Sequence, residues 1–452
     1  MTDRAGRGRA SDASLPDGSP GSAVRRAPFA DNPAVGVRGQ QAQQRILNAA
    51  LQVFGEVGYH QCRVHRITEV AGCSRVSFYQ YFSSKEDLFR HLAGRVARLL
   101  GDALEQLEPI TPDQAGRDAL ERYFGRYSEI YDEFQPVFVA FQTAASSDAV
   151  MAEGGQRIGG RVFQRVGAKI EGATWRGEQL DGAVRTIVQS AVRSNRLHEL
   201  VRDGNPPVRL SLARINAALA DVSHRTLFGV MPGVNLRTPP RRARAFPREN
   251  GTARPNGPRV AGRRTPRPGP GGLQTRAAVL EAGHQVYVER GYYGTRVDDI
   301  VRVAGVSHGV FYRYFRNKDE LFRLLAADAS DRFTSSYDEL DTVDLHAPDA
   351  REQFRGWLDD YARTCAEAAA ITRVWADAIT RDPQLGSDSA AAIRAGCRGV
   401  IALLERRGQG DVDAEATVMH VFLEEMTAGR PSAKRVESVG RVIERSLLFL
   451  DS

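Results

Sequence analysis

The stretch Ala304-Gly-Val-Ser-His-Gly-Val-Phe-Tyr-Arg-Tyr-Phe-Arg-Asn-Lys-Asp-Glu-Leu321 decides the fold, because the chain carries it twice. Its counterpart is Ala71-Gly-Cys-Ser-Arg-Val-Ser-Phe-Tyr-Gln-Tyr-Phe-Ser-Ser-Lys-Glu-Asp-Leu88. Around these blocks, Ile46–Arg90 aligns with Val279–Arg323 without a gap at a constant offset of 233, with 22 of 45 positions identical. Average composition would give roughly three matches by chance, so the chain is an internal duplication with halves at about 41–231 and 273–452.

Each copy is punctuated as a helix, a tight turn and a second short helix. Val64, Ile67, Val70 and Ala71 form an apolar face, Gly72 can take the left-handed conformation that ends a helix, and Ser74 can cap the next. The second copy repeats this with Val297, Ile300, Val303, Ala304, Gly305 and Ser307. Phe78 and Phe82, like Phe311 and Phe315, stand at i, i+4 and should face the core, which turns the start of the short helix outward. A third helix is expected after Ser84 or Asn317, with Asp87 or Glu320 as capping-box partner. Lys85 and Lys318 then occupy its first turn, where an ammonium beside free N–H groups suits a phosphate, and Tyr79, Tyr81, Tyr312 and Tyr314 offer further hydroxyl donors. The geometry expected is a recognition helix in the major groove of double-stranded DNA, clamped to phosphates on both sides.

Outside the repeated block the apolar spacing remains helical, and no alternating strand pattern of comparable length occurs, so the fold class expected is all-α. Val208, Leu212, Ile215, Leu219 and Val222 make a narrow seam, as do Val439, Ile443, Leu447 and Leu450. Either seam suits packing inside a domain or across a dimer. Six segments are expected: a disordered tail 1–40, a first helix-turn-helix domain 41–92, a first helical core 93–231, a Pro/Gly/Arg-rich linker 232–272, a second helix-turn-helix domain 273–325 and a second core 326–452.

The chain of 452 residues carries a formal net charge of +7, unevenly placed. Residues 232–272 hold ten Arg and a single acid, Glu249, and the tail holds six Arg and four Asp, so the remainder is slightly acidic. Affinity for DNA must therefore come from local patches; the linker itself reads as a solvated spacer that could add salt-dependent contacts. No apolar run approaches the ~20 residues of a membrane span, so no membrane partner and a cytoplasmic location are expected. Cys62, Cys73, Cys365 and Cys397 show no metal-ligand spacing and read as buried thiols. His198, Glu199, Asp221 and His224 match no ligand motif, no metal or cofactor is expected, and no catalytic cluster argues for an enzyme.

The repeated block, extended upstream through Phe54-Gly-Glu-Val-Gly-Tyr59 and Tyr287-Val-Glu-Arg-Gly-Tyr292, resembles the DNA-binding domain of the TetR repressor family over about 50 residues per half. The resemblance implies two tandem units, each a three-helix head on a larger helical core that dimerises and binds a small, apolar effector, with repression as the usual outcome. The DNA contacts it implies are Arg63, Ser74, Arg75, Val76, Ser77, Tyr79, Tyr81 and Lys85 in the first head. In the second they are Thr295, Arg296, Ser307, His308, Gly309, Val310, Tyr312, Tyr314 and Lys318. The first copy departs from the pattern with Cys62 where Thr295 makes a phosphate contact and with Val76 where Gly309 is usual, which implies a weaker or different grip.

Arg75, Val76 and Ser77 differ from His308, Gly309 and Val310, and arginine favours guanine while valine suits a thymine methyl, so an asymmetric operator is expected. An intramolecular pseudo-dimer is the economical assembly, with a homodimer as the alternative. A helical small-molecule sensor or protein-interaction module in which one or both heads no longer bind DNA is the competing function. Trp175, Trp357, Trp375, Phe124, Tyr127 and Tyr361 could line the effector pocket or fill a core.

Overall fold

The computed structural model describes residues 36–144, 149–202, 210–234, 270–379, 382–427 and 431–450. Most of the tail, most of the linker and Val208 lie outside the described residues, as does the side chain of Glu199. The first half contains α1 (Val37–Gln61), α2 (Val64–Val70), α3 (Arg75–Tyr81), α4 (Lys85–Glu105), α5 (Gln114–Ala144), α6 (Ala149–Ala168), α7 (Gly177–Arg202) and α8 (Leu212–Phe228). The second contains α9 (Pro270–Gly294), α10 (Val297–Ala304), α11 (His308–Tyr314), α12 (Lys318–Asp338), α13 (Ala350–Ile379), α14 (Pro383–Arg407), α15 (Val412–Leu423) and α16 (Ala433–Ile443). The fold is all-α; among the described residues the sole β feature is an isolated bridge between Ile110 and Ile170. No described helix is long and apolar enough to cross a membrane. Helices α1 and α9 begin within the stretches read as tail and linker, because neither composition bias nor a weak cap stops a first turn from adding to a helix held further along.

Local chemistry sets the breaks. Near the end of α1, Gly58 has φ 74°, and Gly291 of α9 has φ 66°, so both helices bend at a position that glycine alone occupies without strain. Helix α5 kinks at Phe134, two residues before Pro136, whose ring removes a backbone donor. Each head has its own core: Ile46, Val53, Phe54, Ile67, Phe78 and Phe82 in the first, and Val279, Val286, Tyr287, Ile300, Phe311 and Phe315 in the second. The head cores continue into α5 through Phe134 and Val137 and into α13 through Ile371 and Val374, which ties each head to the body behind it.

A third apolar cluster spans both halves. Leu219 and Val222 of α8 belong to it together with Val418, Met419 and Phe422 of α15, all fully buried. The two sequence seams meet at this junction: Ile215, Leu219 and Val222 are buried, as are Val439, Ile443 and Leu447. Helices α7 and α8 pack on α15, with α16 against α7. Charged groups flank the seam. Arg214 forms a two-pronged pair with Asp411 (Nε to Oδ2 and Nη2 to Oδ1, both 2.6 Å), and buried Arg225 donates to Glu415 at 2.5 Å. Glu415 is also held by Arg407 at 2.5 Å, and Thr186 donates to Glu425 at 2.9 Å. A buried ion pair is weak evidence for net stability, yet stripping away one partner is costly, so such pairs fix which surfaces meet. Here they fix the first half against the second.

Candidate nucleic-acid interface

In the first head, Gly72 takes φ 62° between α2 and α3, and the Ser74 hydroxyl accepts from Ser77 N–H at 3.0 Å. In the second, Gly305 takes φ 65° and Ser307 accepts from Val310 N–H at 3.4 Å. Both serines cap a recognition helix of seven residues whose inner face is Phe78 or Phe311, each completely buried. The outer face stays in solvent: Val76 is 72% exposed, Tyr79 42% and Tyr312 56%. Exposed apolar and aromatic side chains on so short a helix have no core to serve and remain open to a partner.

Helices α4 and α12 start as expected, with one difference in detail. Ser84 accepts from Asp87 N–H at 3.2 Å and Asn317 from Glu320 N–H at 2.8 Å. The carboxylates, however, close on the residue before the cap: Asp87 on Ser83 N–H at 2.8 Å and Glu320 on Arg316 N–H at 2.6 Å. The extended cap residue swings its predecessor's N–H toward the first turn, so the box closes one residue early.

The predicted contacts separate by exposure. Arg63, Ser74, Arg75, Val76, Tyr79, Arg296, Ser307, His308, Gly309 and Tyr312 are exposed, while Ser77, Lys85, Val310, Tyr314 and Lys318 are half-buried. Tyr81 and Thr295 lie inward. Tyr81 belongs to the head core, since it follows Phe78 by three residues and shares its face. The Thr295 hydroxyl donates to Gly291 O at 2.7 Å and closes the end of α9, and Cys62 fills the same buried position after α1. The replacement of threonine by cysteine in the first head therefore removes an internal tie rather than an outward donor. The two lysines also turn inward: Lys85 Nζ donates to Tyr59 O at 2.9 Å, and Lys318 Nζ to Tyr292 O and Thr295 O at 2.7 and 2.9 Å. Each ammonium lies over a tyrosine ring, 4.4 Å from Tyr59 and 5.1 Å from Tyr292, and so binds the bend after the first helix to the start of the fourth.

Two residues that the sequence reading missed share the outer face. Gln80 and Arg313 are exposed four residues after Val76 and Gly309, and that spacing was the available signal. The surroundings of the two recognition helices also differ in charge. His65 and Arg66 are exposed on α2, whereas α10 has Asp298 and Asp299 at its first turn, with His308 Nε2 3.4 Å from Asp298. The heads touch: the rings of His60 and Tyr293, at the ends of α1 and α9, are 5.7 Å apart.

Behind the heads, a cavity of about 630 Å³ opens among α7, α12, α13 and α14. Trp375 and Tyr361 line it, whereas Trp357, Phe124 and Tyr127 are buried in the shared core and Trp175 borders a separate cleft between the halves. His224 Nε2 lies 3.0 Å from Thr111 O, and Asp221 accepts from Arg117 at 2.6 Å. No group of His, Cys, Asp and Glu among the described residues is arranged to hold a metal ion. All four cysteines are free thiols; burial pushes Cys62 up to about 11 and Cys365 to about 12, against thiolate chemistry.

Comparison with known proteins places this geometry. The profile described as "Bacterial regulatory proteins, tetR family" matches residues 46–92 and again 279–325. The HTH-type transcriptional regulator TtgR of Pseudomonas putida is 28% identical over 158 residues, which is 33% of this chain and 75% of the relative. RutR of Escherichia coli, also an HTH-type transcriptional regulator, is 30% identical over 92 residues, 20% of this chain and 42% of its own length. Among solved structures, a tetR-family transcriptional regulator from Streptomyces coelicolor is 22% identical, with a TM-score of 0.33, covering 42% of this chain and 82% of that one.

Proposed function

Because the chain belongs to the TetR family and carries that family's N-terminal module twice, we propose that it is a DNA-binding transcriptional regulator in which one polypeptide presents both heads to a single operator. The observation that carries this reading is the heterotypic junction of α7 and α8 with α15 and α16, which occupies within one chain the surfaces that two subunits would otherwise share. The heads it presents are unlike. One offers Arg75, Val76 and Ser77 to base edges, the other His308, Gly309 and Val310, with Arg63, Tyr79, Arg296 and Tyr312 positioned beside them for phosphates. The operator is therefore asymmetric.

The regulator is a ligand-responsive repressor. Helix α12 supports this reading: it starts at Lys318 in the second head and reaches the cavity at Phe333 and Tyr337, about 22 and about 28 Å away at 1.5 Å per residue. A ligand that displaced the cavity end would tilt the head end, and two heads bound to one duplex tolerate little change in spacing. Selection of bound duplexes from a random pool tests the operator. Two half-sites of different sequence are expected; a perfect palindrome contradicts the reading, and failure to retain any duplex at low salt favours a sensor or interaction module instead.

A further inference from the structure

The 630 Å³ cavity is built from both halves, and the two contribute different chemistry. The second half supplies an aromatic wall: Phe333 and Tyr337 from α12, Tyr361 and Trp375 from α13. The polar ends of this wall are engaged with one another or with backbone. Tyr361 and Tyr337 hydroxyls are 3.1 Å apart, Tyr337 Oη is 3.0 Å from His420 Nδ1, and Trp375 Nε1 donates to Leu385 O at 3.3 Å. Tyr337 and Tyr361 are almost fully buried, so the apolar surface left for a ligand comes chiefly from Phe333, with a small part from Trp375.

The first half supplies charge. Arg193 and Arg196 of α7 reach the cavity from across the junction, and Arg373 and Arg435 border it from the second half. Among the described residues the lining sets four guanidinium groups beside one carboxylate, Glu424, which lies 3.8 Å from His420 Nε2. Glu425, on the next residue, stays 4.0 Å from Arg193 and is engaged by Thr186. Arg193 Nη1 donates to the neutral Gln189 amide oxygen at 3.0 Å, and burial holds its guanidinium below the ordinary value despite Glu425. Four guanidinium groups bordering one cavity make it a place where a bound anion is stabilised by charge-assisted hydrogen bonds.

We propose that the effector is an aromatic organic anion whose ring system packs against Phe333 and Trp375 and whose carboxylate, sulfonate or phosphate is gripped by Arg193 and Arg196 of the other half. The proposal rests on the reading of the chain as a ligand-responsive regulator and narrows it from an apolar effector to an amphipathic acid. It also makes the site a property of the paired halves, since neither half holds both the rings and the α7 arginines. The volume falls within the ~300–1,000 Å³ range of small-molecule sites.

The test uses two fluorescent probes of nearly the same aromatic body, 8-anilinonaphthalene-1-sulfonate and the uncharged N-phenyl-1-naphthylamine, titrated into the full-length chain. The sulfonate is expected to saturate at one molecule per chain and to bind at least about ten-fold more tightly than the amine. Arg193→Gln and Arg196→Gln should each weaken the sulfonate by about ten-fold and leave the amine unchanged. Circular dichroism checks that each variant is folded, and Arg196→Gln carries the test where Arg193→Gln disturbs the junction. Equal affinity for the two probes, or sulfonate binding indifferent to both variants, overturns the ligand class. Release of the selected duplex separates the two layers of inference. Arginine-dependent sulfonate binding without release keeps the ligand class and contradicts responsiveness; release by the amine as readily as by the sulfonate does the reverse.

Discussion

At the scale of single residues, Lys85 and Lys318 both turn inward. An ammonium over a tyrosine ring that also donates to helix-end carbonyls is a fastening between two helices. Lys318→Gln is expected to lower unfolding stability by about 1–2 kcal/mol, less than a fully buried charged hydrogen bond because the site is half exposed, as measured by the urea midpoint. An unchanged midpoint would return the lysine to the role of an outward phosphate contact. The charge and spacing of these lysines were legible in the sequence; their direction was not, because it depends on the bend that Gly58 and Gly291 introduce 27 residues earlier. The inward position of Thr295 was hidden for the same reason, since its hydroxyl closes the helix that Gly291 bends.

His420 offers a second residue-scale test. Burial holds its imidazole below the ordinary value of 6.5, while Glu424 pulls weakly the other way. The unfolded chain therefore binds a proton at pH values where the folded chain does not. The stability tied to neutral His420 is fully present above about pH 6.5 and is lost as the pH falls below it. Between about pH 7.5 and 5.5, the melting temperature of His420→Gln should fall less than that of the unaltered chain. A parallel fall in both would show that His420 is not the titrating group.

At the scale of elements, the repeated helix-turn-helix was the most readable part of the chain. The glycines that end α2 and α10, the serines that cap α3 and α11, and the inward phenylalanines all follow from local rules that need no tertiary context. The seams on α8 and α16 were visible as spacing, yet their destination was open. An apolar stripe states that something covers it and does not name the partner. The cavity was out of reach for a related reason: helices distant in sequence build it, and Arg193 and Trp375 line the same space only after the halves have paired. The contrast between α3 and α11 carries a prediction at this scale. Arg75→Ala should relax base preference in one half-site and cost about 1–3 kcal/mol of DNA binding, while selection with the variant still returns the other half-site unaltered. Equal change in both halves would mean that the heads read the same sequence.

At the scale of the whole molecule, duplication has freed the halves to diverge. Arg225 belongs to the first and Glu415 to the second, and Arg214 reaches Asp411 across the same boundary, so the junction is complementary between unlike partners. The same divergence separates the two recognition helices and assembles one cavity from two kinds of wall. The claim on which this picture depends is that a single chain furnishes both heads. Light scattering coupled to size-exclusion chromatography, on the chain alone and on one copy of its selected duplex, tests it most directly. A protein mass of 49.6 kDa is expected in both, one chain per duplex. A protein mass about twice that value on the duplex would contradict the account, because each operator would then be read by the heads of two chains.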